Sequence, residues 1–221
     1  MRYLISILIF ILSSTISWTQ ENFIMYVEPQ IEVEHSVNNL YSINFSVENR
    51  NLLYKNNEQQ FVVKQIDIGH VSQFELSVNQ LIGVGIKYRF KKVFNINEEN
   101  ELRLLQVYKW KNTWHNHNIK NRLRTEQRFY KSTFKNRLRY ELGTAFLINQ
   151  LSNSYIKLET EALFEIAKTQ KPEYEQRLTT LYGFKLKKDK VVEVGTQYRL
   201  ADYTQNLNHE LFLVLKLEID L

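Results

Sequence analysis

Residues 118–141 read NIKNRLRTEQRFYKSTFKNRLRYE. Lys120, Arg122, Arg124, Arg128, Lys131, Lys135, Arg137 and Arg139 stand against only two acids, Glu126 and Glu141. Their spacing decides the fold. Lys120, Arg122, Arg124, Glu126 and Arg128 fall on even positions. Ile119, Asn121, Leu123, Thr125, Gln127 and Phe129 fall on odd ones. After a polar break at Lys131-Ser132 the pattern resumes, with Lys135, Arg137, Arg139 and Glu141 opposing Phe134, Leu138, Tyr140 and Leu142. A helix advances about 100° per residue and would scatter these charges round its circumference, whereas a strand puts alternate side chains on one face. The stretch therefore reads as a β-hairpin with all its charges on one side.

The same period of two covers most of the chain. Tyr41, Ile43, Phe45 and Val47 alternate with polar residues, as do Ile82, Val84, Ile86, Tyr88 and Phe90. So do Ile156, Leu158, Thr160, Ala162 and Phe164, then Val192 and Val194, and finally Leu211 through Leu221. Polar breaks such as NNEQQ (56–60), NINEEN (95–100) and KKDK (187–190) separate the runs. The expected fold is all-β, an antiparallel up-and-down transmembrane β-barrel of about 10–12 strands. Two features favour a barrel over a soluble sandwich. Aromatics sit near strand ends (Tyr26, Tyr88, Phe90, Trp110, Trp114, Tyr130, Tyr155, Tyr198, Tyr203), where interfacial girdles need amphipathic rings. The charged face also carries both signs, strand after strand.

The N-terminus, MRYLISILIFILSSTISWTQ, has a basic Arg2, an apolar run and then small residues. It reads as a signal peptide over residues 1–19, cleaved after Ser17 or Thr19. The apolar run falls short of the ~20 residues a membrane-spanning helix needs. Residues 20–221 are then one outer-membrane barrel domain. The chain has no cysteine, so lipoprotein anchoring, disulfides and thiolate metal sites are excluded. Its formal net charge of +5 is modest for 221 residues, and export removes nucleic acid from the expected partners. Those partners are outer-membrane lipid and the barrel-assembly machinery. The last strand, HELFLVLKLEIDL, is apolar at every second position, though it ends on Leu221 rather than on an aromatic residue.

On the charged face the candidate lumen network is Arg89, Arg103, Arg122, Arg124, Glu126, Arg128, Arg137, Arg139, Glu141, Glu159, Glu161, Glu175, Arg177, Glu193 and Arg199. Inside a closed barrel of this size these side chains should pair across neighbouring strands, because an unpaired buried charge is costly.

The segments Glu101-Leu-Arg103, His117 with Arg122, and R-x-E-Q-R at 124–128 followed by N-R-L-R-Y at 136–140 together resemble an uncharacterised outer-membrane β-barrel family of Gram-negative bacteria. That family is catalogued as a domain of unknown function. YIKLETEALFEI and YEQRLTTLYGFKL are similar to its following strands. The resemblance implies a barrel and a location, and no activity.

Nothing in the sequence marks a catalytic centre, a cofactor or a metal. His115-x-His117 has no acidic third ligand nearby in sequence. His70 and Ser72 share one strand face while Glu75 lies on the other, so they make no triad by themselves. Gly83 and Gly85 lie within an alternating strand and relieve crowding or allow bending. The functional expectation is a small porin-like barrel with an Arg/Glu-lined lumen. It would be structural, or would pass or bind a small polar solute, anionic if the cation excess decides. The alternatives are an outer-membrane lipid-modifying enzyme (hydrolase or acyltransferase) and a soluble secreted β-sandwich binding protein.

Overall fold

A computed structural model describes residues 23–115, 117–149, 153–168 and 170–221. The expected signal peptide lies outside the described residues. Alternating apolar and polar positions become eleven strands: β1 (Phe23–Asn38), β2 (Tyr41–Lys55), β3 (Glu58–Ser77), β4 (Gln80–Phe90), β5 (Glu101–Trp114) and β6 (His117–Phe129), then β7 (Phe134–Asn149), β8 (Ser154–Ala167), β9 (Gln170–Lys187), β10 (Lys190–Ala201) and β11 (Asn208–Asp220). Each strand pairs with the next in sequence, and β1 pairs with β11 to close a barrel. Closure gives every strand two neighbours and leaves no sheet edge.

The antiparallel up-and-down barrel is as expected, and the seam adds one feature to it. All sequential neighbours are antiparallel, but β1 and β11 run parallel, with Ile31 opposite Leu217 and Val33 opposite Ile219. The reason is parity. In an up-and-down barrel all odd-numbered strands point the same way, so the first and eleventh can meet only in parallel. An estimate of ten to twelve strands left that parity open.

At one end β1–β2, β3–β4 and β9–β10 are joined by two-residue turns. In the β1–β2 turn the Asn38 side-chain oxygen accepts from the backbone amides of Leu40 and Tyr41, both at 2.9 Å. At the other end lie the longer segments 91–100 and 202–207. Asn100 Oδ1 fastens the first of these by accepting from the amides of Lys91 and Lys92 at 3.0 Å.

Burial is inverted relative to a soluble domain. Among the described residues nineteen buried side chains are polar or charged and only five are apolar, including Leu105, Leu163, Leu181 and Phe212. The outer wall exposes Ile68, Val84, Ile86, Leu138, Leu178 and Leu215. A sandwich buries its apolar face between two sheets. Here one closed sheet turns that face outward, so the β-sandwich alternative is excluded. The wall has a polar break where Gln106, Thr125 and Gln127 hydrogen-bond one another across β5 and β6.

The aromatic girdle is corrected in part. Tyr26 and Tyr155 point inward. Each has the parity of its strand's charges, Glu28 on β1 and Lys157 and Glu159 on β8. Tyr26 stacks on Phe212 with centroids 4.8 Å apart. Tyr155 donates to Glu193 Oε1 at 2.7 Å and lies across Gly183, where its ring occupies the space a Cβ would need. Gly85 likewise leaves no room for a Cβ beside the His70 carbonyl and Val71. Trp110 remains outside, stacked with Tyr108 and Tyr140.

The closed seam makes a specific prediction. The protein has no native cysteine, so Ile31→Cys with Leu217→Cys should cross-link on mild oxidation and shift electrophoretic mobility. Ile31→Cys with Leu213→Cys, out of register, should stay uncross-linked.

Candidate functional site: a charged lumen

The period of two puts the carboxylates and guanidinium groups of the alternating runs on the inner wall of a closed barrel, within reach of one another. There they pair. Glu101 has no exposed surface and receives Arg103 Nη2 at 3.0 Å and Arg128 Nη2 at 3.0 Å. Asp67, 1% exposed, takes Arg89 in a fork, with Nε to Oδ1 at 2.7 Å and Nη2 to Oδ2 at 2.6 Å. Glu161 receives Arg139 in the same way at 2.9 and 2.6 Å, and Arg177 at 3.3 Å. Arg139 also reaches Glu126 at 3.1 Å. Glu165 gathers Arg137 at 2.5 Å, Lys135 at 2.9 Å, and Arg128. Arg122 bonds Glu141 across β6 and β7. Forked, charge-assisted bonds of this kind satisfy both partners and fix their geometry.

Aromatic rings hold part of the network. Phe212 is fully buried, with the Arg199 guanidinium 3.5 Å and that of Arg50 4.8 Å from its centroid. Tyr130, in the β6–β7 turn, sits 5.4 Å from the Arg128 guanidinium. Burial pushes its phenol up to about 12. In the 91–100 segment, burial lowers the Lys91 ammonium from its ordinary range, against the opposing pull of Glu98 at 3.2 Å.

The fifteen residues singled out from the sequence all have inward parity. Most of them line a cavity of about 830 Å³ that runs from the turn at Ser77–Gln80 towards Ala201 and Glu210. Glu126 and Arg128 do not line it. They lie with Asp67, Glu101 and Glu165 in the packed side of the lumen, all at most 5% exposed. The interior is thus filled along part of its wall and open along the rest. Glu159 pairs with Lys157 at 3.1 Å, Glu175 with Arg177 at 2.5 Å, and Arg199 with Glu28 at 3.4 Å. Lys157 also reaches Glu193 at 3.4 Å.

Near the Ser77–Gln80 mouth the charges separate by sign. Lys109 and Lys111 on β5 face Arg122 and Lys120 on β6, like charge against like. On the opposite side of the ring, Glu32 and Glu34 on β1 lie beside Glu218 and Asp220 on β11. Lys216 bridges Glu32 and Glu218 at 3.0 and 2.6 Å.

Sequence reasoning missed Glu28, Arg50 and Asp67, and it placed Lys216 on the polar face of the last strand without assigning it to the network. Asp67 does alternate with Ile66 and Ile68, and Glu28 with Val27 and Pro29. Pro29, Asn49 and the buried Asn51, whose parity is opposite to that of the charges, interrupt the apolar rhythm on β1 and β2 and obscure that signal. His115 and His117 meet the rings of Trp114 and Phe146 edge-on, and no cluster of three metal-ligating side chains occurs among the described residues. His70 and Ser72 lie on the outer wall, with Nε2 to Oγ at 3.2 Å, and Tyr41 Oη is 3.1 Å from the same Oγ. Glu75 has inward parity, and His70 Nδ1 is buried without a partner.

The molecule is thus an eleven-stranded closed β-barrel with an apolar exterior and an ion-paired lumen. The profile of a family described as protein of unknown function (DUF2490) matches residues 29–210, from β1 into β11, and the chain belongs to that family. No curated protein and no solved structure matches it.

The network predicts unequal costs of substitution. Glu101→Gln leaves two buried arginines short of a counter-charge and should cost about 3–5 kcal/mol in urea unfolding. Lys111→Gln at the mouth, outside the ion pairs among the described residues, should change stability by less than about 0.5 kcal/mol.

Proposed function

We propose that the barrel resides in the bacterial outer membrane and binds or passes a small polar solute through its lumen. Three features support the membrane reading. The exterior is apolar, the backbone is closed on itself as hydrocarbon requires, and the alternation is inward-polar. The observation that carries the solute reading is the cavity of about 830 Å³, walled by charges and divided at its mouth into a basic and an acidic side. A filled barrel with a purely structural role needs no such space. Most lumen charges are neutralised in pairs. Among the described residues the lining charges outside ion pairs are of both signs, Lys109, Lys111 and Lys120 against Glu34, Glu75, Glu210 and Asp220. An anion preference therefore rests on the basic side of the mouth, Lys111 and Lys120 foremost.

Planar-bilayer recording of the refolded protein tests this. Small conductance steps with an anion preference are expected, and Lys111→Glu with Lys120→Glu should reverse the preference. A silent bilayer removes the passage reading.

A second reading has one observation behind it, the Ser72–His70 hydrogen bond on the outer wall. An acyl-transferring enzyme needs that pair, with His70 Nε2 taking the Ser72 proton. No carboxylate orients the ring, since Glu75 turns inward. A fluorophosphonate probe should therefore leave Ser72 unlabelled, and labelling lost in Ser72→Ala would revive the enzyme.

A further inference from the structure

We propose that Arg124 is the anchor of a small-oxyanion site inside the lumen, taking a carboxylate or phosphate group of the solute. This rests on the reading of the lumen as a solute-binding space and gives that solute its charge. Arg124 stands apart from every other arginine on the inner wall. Arg50, Arg89, Arg103, Arg122, Arg128, Arg137, Arg139, Arg177 and Arg199 each donate at least one side-chain hydrogen bond. Arg124 donates none among the described residues. Its nearest carboxylate oxygens, on Glu126 and Glu161, are 3.7 and 3.8 Å away. At those distances the charges attract, but no hydrogen bond forms.

The neighbouring ion pairs explain why. Among the described residues Glu126 and Glu161 are the only acids within 4 Å of Arg124, and Arg139 binds both at shorter range. Arg139 is also the direct cross-strand partner of Arg124 on β7, and Arg122 is the next inward residue on β6. Arg124 therefore sits between two cations whose carboxylates are already engaged. On its other side the partner is Val107, which offers no acceptor. Arg124, Arg122 and Val107 all line the cavity. The Nε atoms of both arginines are buried without a partner. A buried guanidinium with unused donors is costly. A small oxyanion in the adjoining space would accept from the Arg124 fork and offset the crowding of like charge. Guanidinium geometry suits carboxylate and phosphate alike. Lys109, paired across the ladder with Arg122, adds positive potential on the side towards the mouth.

The test is thermal unfolding and calorimetric titration of the folded barrel in detergent. Sodium phosphate and sodium acetate are the probes, with chloride at matched ionic strength to remove screening. The wild type should gain melting temperature and bind at least one probe, and which one assigns the tetrahedral or the planar oxyanion. Arg124→Gln should weaken that binding about tenfold or more, as expected for loss of charge-assisted hydrogen bonds. Lys55→Gln, exposed and outside the cavity lining, should bind like the wild type. Without ligand, Arg124→Gln should melt no lower than the wild type, because it has no hydrogen bond to lose, whereas Arg139→Gln should melt well below it. A folded Arg124→Gln protein that binds as the wild type does overturns the site and leaves the lumen reading intact. Failure of the wild type to bind either probe overturns the site, and if its bilayers are also silent the lumen reading falls with it.

Discussion

A carboxylate enclosed by protein must meet its counter-charge within hydrogen-bond distance, and the rest of this structure follows from that requirement. Glu101 meets it with two guanidinium groups from two strands, Asp67 with a forked arginine, and Glu161 with arginines from β7 and β9. Such pairs replace the hydrophobic core of a soluble domain. Their net contribution is small compared with the penalty of breaking one, because both partners have been taken out of water. They specify register more than they add stability. Sliding one strand by a single residue would turn its charges onto the apolar wall and its aliphatics into the lumen.

Much of this was legible in the sequence for a simple reason. The side-chain period of a strand is two, and the charges of 118–141 keep that period on both strands of the hairpin although Asn121, Thr125 and Gln127 make the other face partly polar. The inward parity of Arg122, Arg124, Glu126, Arg137 and Arg139 follows from counting. Legibility stopped where the positions between the charges are polar. On β1 and β2, Pro29, Asn49 and Asn51 break the apolar rhythm, so Glu28 and Arg50 were overlooked although they hold Arg199 and Phe212 in place. It also stopped at the aromatics. A tyrosine near a strand end suits a membrane interface or a lumen equally well, and only parity decides. Tyr155 goes inward because Gly183 leaves it a seat and Glu193 accepts a hydrogen bond from its hydroxyl.

What no periodicity could supply is the pairing itself. Sequence shows that Arg124 and Arg139 share the inner face. It does not show that Arg139 takes both nearby acids and leaves Arg124 without a hydrogen bond. Nor does it show that β1 and β11 meet in parallel, which depends on whether the number of strands is odd.

The sign separation at the Ser77–Gln80 mouth has a further consequence. Lysines on β5 and β6 face carboxylates on β1 and β11 across the ring, so the field there points sideways rather than along the axis. A zwitterion entering this gap would turn its acid group towards β5 and its ammonium towards β1. Molecules would then be sorted by the size and direction of their dipole, and two solutes of identical net charge could be treated quite differently.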